Sequence, residues 1–349
     1  MIDKPRTTIE SRMAGLSKEW LNATQEEILE PDLPIVDPHH HFWDFPTHRY
    51  LLDELLDDTG SGHNIEATVF LECAAFYRAD GPKEERPIGE VEFVNGLAAM
   101  AASGRYGDTR AAAGIVGLAD LTIGAAVEDV LAKQLAVSGG RFKGIRYVAS
   151  WDDKTPEVHN GHTNPPEHLY RDHAKFREGF AALGRLGLSF DAWCYSPQLP
   201  DLVDLCRSFP DIPVVLNHVG GPLGIGWYSD KRDEIFRQWS ASIRELAGCA
   251  NVTVKLGGMG MLICGFDFHQ QPKAPTSEQL AEAWKPYVET CIEAFGPKRC
   301  MFESNFPVDK LSGSYHVYWN AFKRLAAGAS DSEKADLFRD TAKRFYRLS

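Results

Sequence analysis

The chain has 349 residues, 44% hydrophobic and 25% charged, which is the balance of a folded globular protein with a sizeable core. Its net charge of −12 argues against general affinity for nucleic acid or an anionic membrane surface. The 7 cysteines show no CxxC spacing, and neither a signal-peptide core nor a run of about 18 apolar residues occurs, so a cytoplasmic, non-membrane protein is expected.

Residues 1–33 are polar, end in the proline-punctuated EPDLP, and read as an extension leading into a domain over 34–349. Apolar runs rich in Val, Ile and Phe then recur at 35–40, 67–73, 111–119, 142–148, 188–195, 213–219, 252–258 and 300–306. Helical stretches separate most of them. Val91, Val94, Leu97 and Ala101 have helical spacing, a glycine pair closes the stretch ending at Gly140, and further helices are expected over 174–186, 231–247 and 278–295. Ser330 and Glu333 have the spacing of a capping box. Strands alternating with helices imply an α/β protein with a parallel sheet. Eight units imply closure into a (β/α)8 TIM barrel, with a doubly wound open sheet as the alternative. The long connections 149–173 and 257–276 follow strands 4 and 7, which puts both on the C-terminal rim of a barrel. His159, His162, His168 and His173 in the first of them read as part of a solvated lid.

Three segments carry candidate chemistry. In Ile35-Val-Asp-Pro-His-His-His-Phe-Trp-Asp44, strand alternation puts Asp37, His39 and His41 on one face and His40 on the other, so two imidazoles can hold a metal or polarise a substrate oxygen. In Leu216-Asn-His-Val-Gly-Gly-Pro222, His218 ends a strand and is a candidate ligand or acid/base. In Met301-Phe-Glu-Ser-Asn-Phe-Pro-Val-Asp309, period two puts Glu303 and Asn305 on one face. Arg146 and Lys255 could hold a substrate carboxylate, and Asp191, Trp193 and Tyr195 share a face of strand 5 as further binding candidates. Glu72 and Asp152 could join the site or pair with those cations. No phosphate-cradling loop and no GxSxG elbow occurs.

IVDPHHHFWD, LNHVGGP and FESNFPVD, in this order, resemble the amidohydrolase-related family, in its lactonase branch with 2-pyrone-4,6-dicarboxylate hydrolase and the sugar-lactone hydrolases. The resemblance implies a closed barrel, with His39 and His41 as the first-strand pair and His218 as the sixth-strand histidine. Asn305 stands where the family usually has a water-activating aspartate, and no fourth-strand lysine is present to bridge two metals. The expectation is a catabolic lactone hydrolase that needs no cofactor or holds one divalent ion, zinc or manganese, on His39 and His41. Its small-molecule substrate is carboxylated or polyhydroxylated, and homo-oligomer formation is open. His218 is favoured over Glu303 as base, with Glu303 pairing a cation below the pocket. A metal-dependent decarboxylase or other lyase, and a non-catalytic ligand-binding barrel, are the alternatives.

Overall fold

The computed structural model describes residues 13, 16–155, 158 and 165–348, so His159 and His162 lie outside the described residues. Eight parallel strands pair in chain order: β1 (Ile35–His40), β2 (Ile65–Leu71), β3 (Arg110–Gly117), β4 (Phe142–Val148), β5 (Ser189–Trp193), β6 (Val214–Leu216), β7 (Val252–Leu256) and β8 (Cys300–Phe302). The edges meet where His40 bridges Phe306, with His41 N donating to Phe306 O and Asn305 N to His39 O, which closes the (β/α)8 barrel. Asp37 pins the seam from the outer side: Val36 takes the interior position, and a register shift between Asp37 and His40 in the β1–β2 pairing separates Asp37 from His39 and His41, with which alternation had grouped it. Its carboxylate accepts from Ser304 N at 3.0 Å, Ser304 Oγ at 2.6 Å and Tyr315 OH at 2.9 Å. Asp37 is therefore a clamp between β1 and the segment after β8.

Strand alternation decides which side chains reach the interior. Phe190 and Ala192 of β5, and Val252, Val254 and Leu256 of β7, pack outward against the helices, leaving Asp191, Trp193 and Lys255 on the inward set. A second apolar cluster fills the base of the barrel, where Val36, Val69, Val116, Val215 and Met301 meet Ala342 and Tyr346 of the C-terminal helix. The expected helices form as Ile88–Ala102, Val127–Val137, Ala174–Arg185, Arg232–Ala247 and Ser277–Phe295, and the Ser330–Glu333 capping box is present. Three further helices of eight or more residues, Leu52–Thr59, Leu199–Ser208 and Tyr315–Leu325, and the hairpin Trp43–Phe45 with His48–Tyr50 were not expected from the sequence.

The N-terminal extension is tied down over residues 24–30. Leu29 N donates to Asn320 Oδ1 at 2.9 Å, Ser277 N donates to Glu26 Oε1 at 2.7 Å, and Lys323 Nζ donates to Leu29 O and Glu30 O. Among the described residues, no helix is long and apolar enough to cross a membrane.

Candidate active site

The three motif segments converge at the C-terminal ends of the strands. The His39 ring centroid lies 4.4 Å from that of His218 and 5.0 Å from that of His41. His40 points away, as alternation requires, and its Nε2 meets Thr68 Oγ1 at 2.8 Å. Burial pushes His40 down to about 3, so it is a neutral core histidine.

Alternation fails where the chain turns out of the sheet. His218, Val219 and Asn305 have φ of 55°, 46° and 56°, a left-handed conformation that costs a non-glycine residue of order 1–3 kcal/mol. The strands end at Leu216 and Phe302, earlier than the sequence pattern suggests, so Glu303 and Asn305 are not two steps of one strand face. The reversed backbone aims His218 at the barrel axis, and its N–H donates to Glu303 Oε1 at 2.9 Å. Gly258 makes room for this: with φ of 67°, any Cβ there would lie 2.3 Å from the His218 ring.

Glu303 is the hub. Its Oε1 accepts from His218 Nδ1 at 2.7 Å, and its Oε2 lies 2.7 Å from His39 Nδ1. The cation expected below the pocket is Lys255, whose Nζ lies 4.0 Å from Glu303 Oε2 at the limit of an ion pair and bonds Asp191 more closely, at 2.8 Å. Asp191 Oδ1 also accepts from Tyr346 OH at 2.7 Å and Asn217 Nδ2 at 3.0 Å. Lys255 and Asp191, expected to bind substrate, are fully buried beneath the histidines and do not line the cavity. Two charges removed from water must be neutralised inside the protein, and this pair does so under the site.

Arg146 does reach the cavity. Its Nε bonds Glu72 Oε1 at 2.7 Å and its Nη2 bonds the Glu72 carbonyl, while Nη1 lies 3.5 Å from His39 Nε2. Burial would lower Arg146, but the Glu72 carboxylate outweighs it and holds the guanidinium above its ordinary value. Glu72, which could equally have joined the site, is its ion-pair partner.

His41 Nδ1 lies 2.9 Å from Leu71 O, a pure acceptor, so that nitrogen carries the hydrogen and Nε2 presents a lone pair. Asn305 Nδ2 donates to Asp309 Oδ1 at 2.8 Å, which turns its Oδ1 toward His41 Nε2 at 3.4 Å. Two acceptors thus face one donor's space at the cavity floor. Burial, reinforced by Lys255 for His39 and by Arg146 for His41, holds both imidazoles well below their ordinary value. Burial lowers His218 as well, opposed by Glu303.

His39, His218 and Glu303 offer three donor atoms within 4.8 Å of one another, and two imidazoles with a carboxylate suit a divalent ion such as zinc or manganese. Of the expected pair, His39 belongs to that set and His41 does not, although His41 Nε2 keeps a lone pair toward the cavity. The three donors fit one ion in kind, while Lys255 and Arg146 beside His39 oppose its charge.

Among the described residues, His41, Arg146, Trp193, His218 and Asn305 line the cavity with Met13, Trp43, Cys73, Met261, Leu262, Ile263, Val308 and Leu311. Tyr195 is buried outside that lining, with its hydroxyl on Val158 O. His168 pairs with Asp201 and His173 caps a helix by accepting from Phe176 N, so neither belongs to the site. Asp152 holds its own loop by accepting from Thr155 N and Lys154 N. Asn217 and Asp309 lay inside the motifs without an assigned role, and no local signal pointed to Tyr346.

The family model for Amidohydrolase matches residues 36–348. An uncharacterised protein of Sinorhizobium fredii is 33% identical over 91% of this chain and 99% of its own length. An L-fucono-1,5-lactonase of Burkholderia multivorans is 26% identical over 90% of this chain and 96% of its own. A solved amidohydrolase from Burkholderia multivorans with bound zinc superposes with a TM-score of 0.69 at 25% identity, covering 90% of this chain and 99% of that one. With its motifs on the strand ends of a closed barrel and the family match over nearly its full length, this chain belongs to the amidohydrolase family of hydrolases.

Proposed function

We propose that this protein hydrolyses a lactone, opening the cyclic ester of a small metabolite with water. The observation that carries the reading is the Glu303–His218 pair, a carboxylate 2.7 Å from Nδ1 of an imidazole that lines the cavity and whose Nε2 is left for the substrate side. A carboxylate behind Nδ1 fixes the tautomer and stabilises the imidazolium that forms when Nε2 takes a proton. His41 has only a neutral carbonyl behind it, so His218 is the stronger base of the two. Asn305 cannot accept a proton at neutral pH, but its Oδ1 and His41 Nε2 can orient a water for attack.

The water oxygen bonds the carbonyl carbon while His218 Nε2 takes its proton. Arg146 Nη1 stabilises the oxyanion. Collapse breaks the ring C–O bond, and the imidazolium returns the proton to the departing alkoxide, giving a hydroxy acid. His39 acts from beneath by holding Glu303 and facing Arg146. A divalent ion on His39, His218 and Glu303 would supply carbonyl polarisation or a more acidic water. The lactonase similarity and the amidohydrolase membership support the hydrolytic reading. The test is purified protein against a lactone panel, with released acid followed by a pH indicator. Acid release that disappears in His218→Asn is the expected result. Carbon dioxide release from an aromatic acid with no lactone opened would replace the reading with decarboxylation.

A further inference from the structure

We infer that the lactone taken by this site carries an apolar arm or ring, and not several hydroxyls or two carboxylates; this deepens the lactonase reading and rests on it. Among the described residues, the polar side chains of the cavity are His41, Arg146, His218 and Asn305, all used at the reacting ester as derived above. The walls that would surround the rest of the substrate are Trp43, Trp193, Met261, Leu262, Val308 and Leu311. Of their two polar side-chain atoms, Trp43 Nε1 already donates to His48 Nδ1 at 2.9 Å, which leaves the Trp193 indole N–H as the one side-chain donor of these walls. The Cys73 thiol likewise donates to Phe42 O.

The several hydroxyls of a sugar, moved from water to these walls, share one indole donor and meet no side-chain acceptor among the described residues, and each unmade hydrogen bond weakens binding. A second carboxylate fares worse. Among the described residues, Arg146 is the one cation in the lining, and Glu72 already bonds its Nε and Nη2. An alkyl or aryl substituent meets carbon and sulfur on all these sides. Each methylene it buries favours binding by about fourfold, so three to four of them give about 100-fold. The methionine wall also adapts its shape to such a group.

The test measures kcat/KM on four lactones: δ-valerolactone as the bare ring, δ-decalactone with a pentyl arm, L-fucono-1,5-lactone and 2-pyrone-4,6-dicarboxylate. The expected result is δ-decalactone about 100-fold above δ-valerolactone, with the sugar lactone and the dicarboxylate below both. If δ-valerolactone is opened and either polar lactone exceeds δ-decalactone, the substrate class is overturned while the lactonase reading stands. If none of the four is opened, the lactonase reading itself falls, and the inference with it. The half-buried Leu262 supplies a second measurement, because Leu262→Gln puts an amide on the wall without emptying the core. It should lower the δ-decalactone to δ-valerolactone ratio by about tenfold. An unchanged ratio overturns the assignment of specificity to this wall.

Discussion

Replacing Glu303 with glutamine tests the proposed base more sharply than removing His218, because it keeps the shape and deletes the charge. In the reaction His218 becomes an imidazolium whose Nδ1 lies 2.7 Å from Glu303 Oε1. With charge centres about 4 Å apart and an effective dielectric of about 20, the attraction is about 4 kcal/mol. The amide oxygen keeps a hydrogen bond and so part of this, leaving a loss of about 3 kcal/mol, or about 100-fold in kcat. Glu303 also opposes the burial that lowers His218. Its removal therefore lets the imidazole fall further, and the acid limb of the kcat profile moves to lower pH. The assay is kcat against pH on a lactone the wild type opens, with circular dichroism and thermal melting to establish folding. A folded Glu303→Gln protein with kcat within about threefold of wild type and an unmoved acid limb would refute the dyad and transfer the base to His41.

The two first-strand histidines should separate. His41→Ala, on the cavity floor, is expected to lower kcat by about 100-fold or more with little change in melting temperature. His39→Ala leaves Glu303 Oε2 and the Arg146 Nη1 without their neighbour and should also destabilise the fold by about 1–3 kcal/mol, read by urea titration. Zinc distinguishes the two uses of His218, since a nitrogen that ligates an ion cannot accept a proton. With His218 as base, added zinc inhibits and a chelator leaves turnover intact; chelator-sensitive turnover restored by zinc would reverse the assignment. A further expectation concerns His63, whose Nε2 meets His316 O at 3.0 Å while Nδ1 accepts from Lys323 Nζ at 2.8 Å. Burial, reinforced by Lys323, lowers it from 6.5 to about 4. A folded-state value below the unfolded one means stability that is present above pH 6.5 and lost as the pH falls toward 4. Between pH 7 and 4.5 that loss is about 2–3 kcal/mol, and His63→Gln should remove most of it in urea titrations at the two pH values.

The barrel was legible in the sequence because its signal is local and repeated. Eight apolar runs separated by helical spacing leave few architectures, and inward-facing residues such as Asp191, Trp193 and Lys255 follow from period two within a single strand. The histidine motifs were legible for the same reason, since IVDPHHHFWD and LNHVGGP each mark a strand end in one short window. What each polar residue does was decided only by tertiary structure. A lysine on an inward face looks available to a substrate carboxylate, yet Asp191, from a strand 64 residues earlier, takes the charge of Lys255 under the site. Glu303 became the partner of two imidazoles because the chain leaves the sheet at Leu216 and Phe302 and turns His218 and Asn305 through left-handed conformations, which no alternation rule contains. Tyr346, 155 residues from Asp191, reaches it from the C-terminal helix. A charge pair or a reversed residue at a strand end depends on groups brought within a few ångströms by closure of the barrel, and separation along the chain carries no record of that distance.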